Sequence, residues 1–323
     1  DEVNTINIVN NGNLLLGGSF SGTVDFDPGA GVNQITSVGP GNGFILMLNA
    51  QADFVWVKTI SGSNVTIYNL QINTSTDNIY TIGTFWNTVD IDPGTGVYNI
   101  SSNGATDIFL LKLNSSGEFI WARSFGGTDF DYATSIAIDL SSDVIIAGDY
   151  SNTVDFDPTA GVFNQTSLGA SDIFFSRIDS AGNFVWAKTI GGTDGDYEID
   201  MLIDASGDLY FLGNFYGTSD LDPGVSTNFL SSNGSGDVFF SKLTSNGDLT
   251  WVHSIGSTQR DAGYGIKKGS GGNVYIIGMF KGPIDLDPTS GSSNANTIGG
   301  QDVFVLKLGS TVQTNEISTN DKT

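Results

Sequence analysis

Asp25-Phe26-Asp27-Pro28, Asp90-Ile91-Asp92-Pro93, Asp155-Phe156-Asp157-Pro158, Asp220-Leu221-Asp222-Pro223 and Asp285-Leu286-Asp287-Pro288 are five copies of one motif, each 65 residues from the next. A period held without insertion or deletion means that each copy packs against its neighbour in the same way, which is the signature of a repeat architecture. It also bears on function, because chemistry that needs one unique constellation of side chains has no reason to be written five times.

Working outward from the third copy, Ala133-Thr134-Ser135-Ile136-Ala137-Ile138 alternates apolar with small or polar residues and reads as a strand. After the polar break Ser141-Ser142-Asp143, the β-branched run Val144-Ile145-Ile146-Ala147 reads as a strand buried on both faces, and the two form a hairpin. This second strand is expected to run on through Thr153-Val154-Asp155-Phe156-Asp157 and to stop at Pro158, whose missing N–H and fixed φ cannot continue a central ladder. A polar loop leads to a third strand, Asp172-Ile173-Phe174-Phe175-Ser176-Arg177-Ile178, and the turn Ser180-Ala181-Gly182-Asn183 leads to a fourth, Phe184-Val185-Trp186-Ala187-Lys188-Thr189-Ile190. Four antiparallel strands per 65 residues, repeated, describe an all-β fold, a five-bladed β-propeller of four-stranded blades. Trp56, Trp121, Trp186 and Trp251 recur on the fourth strand and are expected to pack between neighbouring blades. The register calls for a fifth near Glu316, where the sequence is polar, so the last blade is expected to lack its outer strand. Asp1 aligns with Asp131 and Asp196, and a Trp-containing strand in the precursor just before Asp1 is the expected replacement, since such strands close propellers and remove exposed edges. On this reading residues 1–309 form the propeller and 310–323 a polar tail or linker.

The third and fourth strands, Asp107-Ile108-Phe109-Leu110-Leu111-Lys112-Leu113 and Gly117-Glu118-Phe119-Ile120-Trp121-Ala122-Arg123 with Gly126-Gly127, followed by elements such as Asn78-Ile79-Tyr80 with Gly83 and Asn273-Val274-Tyr275 with Gly278, resemble the SBBP family of β-propeller repeats. The resemblance covers residues 1 to about 308 and implies a fold and not an activity; it also implies a secreted or surface protein, often of Bacteroidota. The stretch from Thr314 to Thr323 resembles the linker that precedes a type IX secretion sorting domain.

With 35 acidic against 12 basic residues, the net charge of -23 repels phosphate backbones and anionic headgroups, so neither nucleic acid nor a membrane surface is an expected partner. There is no cysteine to form a disulfide or to act as a nucleophile, and no apolar run approaches the ~20 residues of a membrane span. The expected setting is extracellular or the outer cell surface, with any export signal already removed, and the expected state is a monomer.

Most of the acidic residues fall at repeat positions: the Asp-x-Asp pairs, the starts of the third strands (Asp107, Asp172, Asp237 and Asp302, with Asn42 in the first copy) and the repeat junctions (Asp1, Asp129, Asp131, Asp194, Asp196 and Asp261). Residues two apart on a strand point the same way, so Asp25 with Asp27, Asp90 with Asp92, Asp155 with Asp157, Asp220 with Asp222 and Asp285 with Asp287 are candidate calcium ligands. The competing reading is that Asp before Pro starts turns by accepting backbone N–H bonds. The cations repeat too, as Lys112, Arg177, Lys242 and Lys307 on third strands and Lys58, Arg123 and Lys188 on fourth strands, with His253 in the same column, and cross-strand pairing with the acids is their expected role.

These features describe a non-enzymatic binding or adhesion module whose loops present weak sites to a glycan or extracellular protein and act together by multivalency. Trp86, Tyr98, Phe163 and Tyr216 are the aromatic residues best placed to stack on a ligand, and Trp86 interrupts the repeat pattern. A structural spacer or surface scaffold shares the same features. A glycoside hydrolase or lyase would need one asymmetric pair of carboxylates, whereas these acids follow the repeat.

Overall fold

The computed structural model describes residues 1–309 and 314–319, as backbone alone at Ser63, Ser270 and 314–319. Its ordered elements are strands, apart from a single helical turn at Ser270–Gly272. The first two repeats supply β1 (Glu2–Ile8), β2 (Leu14–Phe20), β3 (Thr23–Asp25), β4 (Gln34–Thr36), β5 (Asn42–Leu48), β6 (Phe54–Ile72), β7 (Ile79–Asp90), β8 (Asn99–Leu113) and β9 (Phe119–Phe125). The third gives β10 (Tyr132–Ile138), β11 (Val144–Tyr150), β12 (Thr153–Asp155), β13 (Asn164–Thr166), β14 (Asp172–Ile178) and β15 (Phe184–Gly192). The fourth gives β16 (Tyr197–Ile203), β17 (Leu209–Phe215), β18 (Thr218–Asp220), β19 (Phe229–Ser231), β20 (Asp237–Leu243) and β21 (Leu249–Ile255). The fifth gives β22 (Ala262–Lys268), β23 (Val274–Phe280), β24 (Ile284–Asp285), β25 (Asn294–Ala295), β26 (Asp302–Leu308) and β27 (Thr314–Thr319).

The same four-strand order recurs as β1-β2-β5-β6, β6-β7-β8-β9, β10-β11-β14-β15, β16-β17-β20-β21 and β22-β23-β26-β27. The paired registers are antiparallel and repeat residue for residue, Leu16 opposite Leu46 in the first copy and Ile276 opposite Leu306 in the fifth. The central strands pair because their β-branched and aromatic residues are buried: β5 and β14 are buried along almost their whole length. The first hairpin turns on Gly12, Asp77, Ser142, Gly207 and Gly272, five equivalent positions that all have positive φ.

The second strand stops earlier than the sequence suggests. In four repeats it ends short of the Asp-x-Asp-Pro motif, and a residue with positive φ (Gly22, Asn152, Gly217 or Gly282) turns the chain into a separate short hairpin, such as β3 with β4. In the second repeat, Asn87 takes the same conformation inside the continuous strand β7.

The fifth repeat also corrects the expectation of an absent outer strand. Thr314–Thr319 pairs antiparallel with β26, Glu316 standing opposite Lys307 where Trp121 stands opposite Lys112. An edge strand is held by main-chain hydrogen bonds, which a polar sequence supplies as well as an aromatic one.

The chain packs as two units: Asp1–Ile146 with Tyr150–Thr166 and Ser176–Trp186, and Ala147–Asp149 with Ser167–Phe175 and the chain from Ala187 onward. In the first, Ile45 and Met47 of one repeat join Phe85, Phe109, Leu111 and Leu113 of the next in one apolar core. In the second, Leu212, Val238 and Phe240 join Phe280, Phe304, Leu306 and Leu308 in the equivalent way. The conserved-register Trp sits at such a junction, Trp121 Nε1 donating to Ser180 O in the turn of the following repeat.

Candidate functional site

Two positions in the 65-residue register border a cleft in repeats one and four. One reads Glu2, Ile67, Tyr132, Tyr197 and Ala262, the other Ser21, Trp86, Ser151, Tyr216 and Lys281. Repeat four alone has an aromatic residue in both, and there the structure opens a cleft of about 500 Å³ lined by Asp194, Gly195, Tyr197, Tyr216, Gly217 and Gly234.

Tyr197 begins β16 and Tyr216 follows the end of β17, and these strand ends are tied together by Asp196. That carboxylate is fully buried and accepts hydrogen bonds from Gly192 N (2.8 Å), Tyr216 N (3.3 Å) and Ser219 Oγ (2.9 Å). The two tyrosine rings stand perpendicular, 6.2 Å apart. Three glycines make room for this arrangement. A Cβ at Gly195 would lie 2.7 Å from Tyr197 Oη, one at Gly236 would lie 2.6 Å from the Tyr216 ring, and one at Gly217 would lie 2.2 Å from Asp194 Oδ2. Burial pushes the Asp196 carboxyl up to about 7, against the opposing pull of its hydrogen bonds, while Asp194 is exposed at the cleft wall. The lining combines two aromatic faces, two phenol hydroxyls and one carboxylate, with no cation. It suits a neutral ligand that has both C–H faces and hydroxyl groups.

The other aromatic candidates are placed differently. Trp86 occupies the Tyr216 position of repeat two and is half-exposed, but its partner position is the buried Ile67, so the aromatic pair is not repeated there. Tyr98 and Phe163 are equivalent to each other, and each ring packs 5.1 Å from an aromatic residue of its own repeat, Phe119 and Phe184. Tyr197 was not singled out from sequence, and Asp194 entered only as one of the acidic residues of the repeat junctions.

The Asp-x-Asp carboxylates accept backbone N–H bonds within their own turns. Asp25 Oδ1 accepts from Asp27 N (3.1 Å) and Asn33 N (2.8 Å), and Asp27 Oδ1 accepts from Gly29 N (2.8 Å). The same bonds recur at Asp90 with Tyr98 N, Asp155 with Phe163 N, Asp220 with Asn228 N and Asp285 with Ser293 N, all at 2.7–2.8 Å. Asp92, Asp157, Asp222 and Asp287 repeat the second cap. Among the described residues, no group of three or more acidic, His or Cys side chains is placed to hold a metal ion.

A third set of carboxylates is buried. Asp107, Asp172 and Asp237 each accept one backbone N–H through Oδ2, from Asn103, Leu168 and Asn233, and leave Oδ1 without a partner. Burial raises them to about 7, 6 and 6. Asp131 is raised to about 6 by the same cause. Among the cations, Arg177 pairs with Asp139 at 2.5 Å and Asp143 at 3.0 Å, and Lys242 with Asp208 at 2.8 Å. Lys112 instead donates to Ser180 O and lies over the rings of Tyr80 and Trp121.

No protein-family model matches the chain. The chain is 23% identical over 286 residues to an uncharacterized WD repeat-containing protein of Acanthamoeba polyphaga mimivirus, covering 75% of this chain and 20% of that protein. It is 26% identical over 176 residues to the regulatory protein FlaEY of Caulobacter vibrioides, covering 53% of this chain and 18% of that one. It thus spans about a fifth of the length of the curated relatives it matches. Among solved structures, a protein of unknown function from Bacteroides caccae aligns over 86% of this chain and 90% of that chain, with 6% identity and a TM-score of 0.39. These findings define a class, an all-β repeat protein distantly related to a WD-repeat protein. Within the described residues no helix is long and apolar enough to cross a membrane.

Proposed function

We propose that the chain is built of five propeller-type blades and is a non-catalytic carbohydrate-binding module of the extracellular or outer cell surface, with Tyr197, Tyr216 and Asp194 as its principal site. The observation that carries this reading is the perpendicular pair of tyrosines over a glycine-cleared cleft with one exposed carboxylate. A sugar ring presents C–H groups to an aromatic face and hydroxyls to a carboxylate, and the volume lies within the range of small-ligand sites. The absence of a cation from the lining, together with the net charge of -23, favours neutral over acidic glycans. The non-catalytic part of the proposal is supported by the raised carboxyls. They recur at equivalent positions in several repeats and bind backbone amides, as structural groups do, whereas a catalytic pair would be unique and open to substrate.

The test is a glycan array followed by titration calorimetry on the best ligand. Tyr197→Ala and Tyr216→Ala are each expected to weaken binding by about tenfold, as the loss of one stacking surface does. Tyr98→Ala, whose ring packs against Phe119 and does not line the cleft, should leave affinity unchanged. An array without any bound neutral glycan, or affinities indifferent to both cleft substitutions, would refute the assignment.

A further inference from the structure

At the hairpin-turn end of repeats two, three and four, the chain binds a cation of its own. Lys112 of repeat two donates from Nζ to Ser180 O in a turn of repeat three at 2.7 Å, and it lies 5.0 Å and 5.8 Å from the ring centroids of Tyr80 and Trp121. Trp121 Nε1 donates to the same carbonyl at 3.3 Å. The equivalent Arg177 pairs with Asp139 and Asp143, and the equivalent Lys242 pairs with Asp208 and lies 5.2 Å from the Tyr210 ring. This column of the register thus holds its cation on oxygen acceptors and, in repeats two and four, beside an aromatic face.

Repeat one departs from the pattern. The cation column places Met47 there, and the columns of Asp139, Asp143 and Tyr80 place Val9, Asn13 and Leu15. Other parts of the arrangement remain, Trp56 in the column of Trp121 and Ser115 of repeat two in the column of Ser180. Met47 has no N–H to donate, and among the described residues Trp56 Nε1 makes no hydrogen bond to Ser115 O of the kind that Trp121 makes to Ser180 O. The smaller and uncharged side chains leave a pocket of about 430 Å³ whose lining includes Val9, Met47, Trp56, Asp77, Ser115 and Ser116. Asp77 is the only charged residue of that lining, and the other repeats have Gly12, Ser142, Gly207 and Gly272 in its column. It is exposed, it accepts from Asn10 Nδ2 at 3.1 Å, and among the described residues it pairs with no basic side chain. Lys58, two residues after Trp56, packs its stem toward Gly117 and does not line the pocket. All the walls lie between Val9 and Ser116, inside one packing unit.

We propose that this pocket binds an organic ammonium group, an alkylamine or the side chain of a lysine, which takes the place that the chain's own cation holds in the following repeats. Trp56 supplies the aromatic surface, Ser115 O and Asp77 supply the acceptors, and Val9 and Met47 offer an apolar surface to the alkyl stem. A carboxylate without a partner cation, on a chain of net charge -23, favours a cation over a neutral ligand. The site shares no residue with the Tyr197–Tyr216 cleft and stands apart from the glycan reading.

The experiment is nuclear magnetic resonance of the indole N–H groups of the whole chain, the Trp56 signal being assigned with Trp56→Phe. Two amines are titrated, N-acetylcadaverine and the blocked peptide acetyl-Gly-Lys-Gly-amide, beside the neutral N-pentylacetamide and methyl glucoside. The Trp56 signal is expected to shift and saturate with at least one amine at millimolar concentration and to stay in place with both neutral compounds. A response to the peptide identifies a lysine side chain as a ligand, and a response to N-acetylcadaverine alone identifies a free amine. Asp77→Asn, at an exposed position, is expected to weaken binding by about threefold, the range of an exposed ion pair. Met47→Lys restores the cation of the column and is expected to abolish the shift, with circular dichroism confirming the fold. Silence of the Trp56 signal with both amines overturns the proposal, as does a shift as large with either neutral compound. Amine binding that is unchanged in Asp77→Asn overturns it as well, whether or not Met47→Lys folds.

Discussion

At the level of single residues, the most informative comparison is between Asn42 and its counterparts Asp107, Asp172 and Asp237. Asn42 donates from its amide to Ser61 Oγ at 3.0 Å, while each aspartate keeps a buried Oδ1 without a partner and lies against Gly126, Gly191 or Gly256. A buried, half-satisfied carboxylate is costly when charged, and the first repeat has the neutral version. Asp172→Asn should therefore raise the melting temperature at pH 8 and change it little below pH ~4, where the aspartate is protonated in both the folded and the unfolded chain. A fall at pH 8 would show that the charged form has a partner of its own, such as a bound cation. The Asp-x-Asp pairs obey different arithmetic. Asp90 caps Asp92 N and Tyr98 N, so Asp90→Ala is expected to cost about 1–2 kcal/mol in denaturant unfolding, the range of a lost cap. If capping is their whole role, the wild-type melting temperature is the same in EDTA and in millimolar calcium. A calcium-dependent rise that disappears in Asp90→Asn would favour the metal reading.

Among the elements, β27 has the clearest consequence. It covers the outer edge of β26 through main-chain pairs from Phe304–Thr319 to Leu308–Thr314. A chain ending at Gly309 would leave that edge bare, so hydrogen exchange at Val305 and Lys307 should accelerate and the truncated protein should aggregate more readily on warming. Unchanged exchange would mean that the edge pairing contributes nothing. This strand also marks the limit of what the sequence disclosed. Repeat length and the four long strands of each repeat with their hairpin turns were legible, because period-two alternation is local, whereas the short hairpin that carries each Asp-x-Asp-Pro motif was read as the end of the second strand and a polar loop. The outer strand of repeat five was not legible, because edge pairing draws on backbone groups that every residue has, and the polar run Thr314–Thr319 has no pattern to announce it. The carboxylate roles were legible only as alternatives, since two aspartates on one strand and two aspartates capping one turn have the same spacing. Tyr216 was found from sequence and Tyr197 was not, because their meeting depends on the register of β16 against β17, Tyr197 opposite Asn214.

For the molecule as a whole, the buried carboxyls add up to a pH dependence with a definite sign. Burial, as the leading cause, raises Asp107 and Asp196 to about 7 and Asp131, Asp172 and Asp237 to about 6, all from an ordinary value of 3.8. Between these limits the folded chain binds more protons than the unfolded one, so stability is fully present below pH ~4 and is lost as pH rises through 6 and 7. His253 works the other way, since burial lowers its imidazole and folding then favours the neutral form, but it is one group against five. The melting temperature is therefore expected to fall by several degrees between pH 5 and pH 8 in constant salt, given that about 1 kcal/mol corresponds to a few degrees for domains of this size. The triple variant Asp107→Asn/Asp172→Asn/Asp237→Asn should flatten the slope by raising the pH 8 end. A melting temperature that climbs with pH over the same interval would show that the five groups are ionised in the fold, and that something other than backbone amides holds their charge.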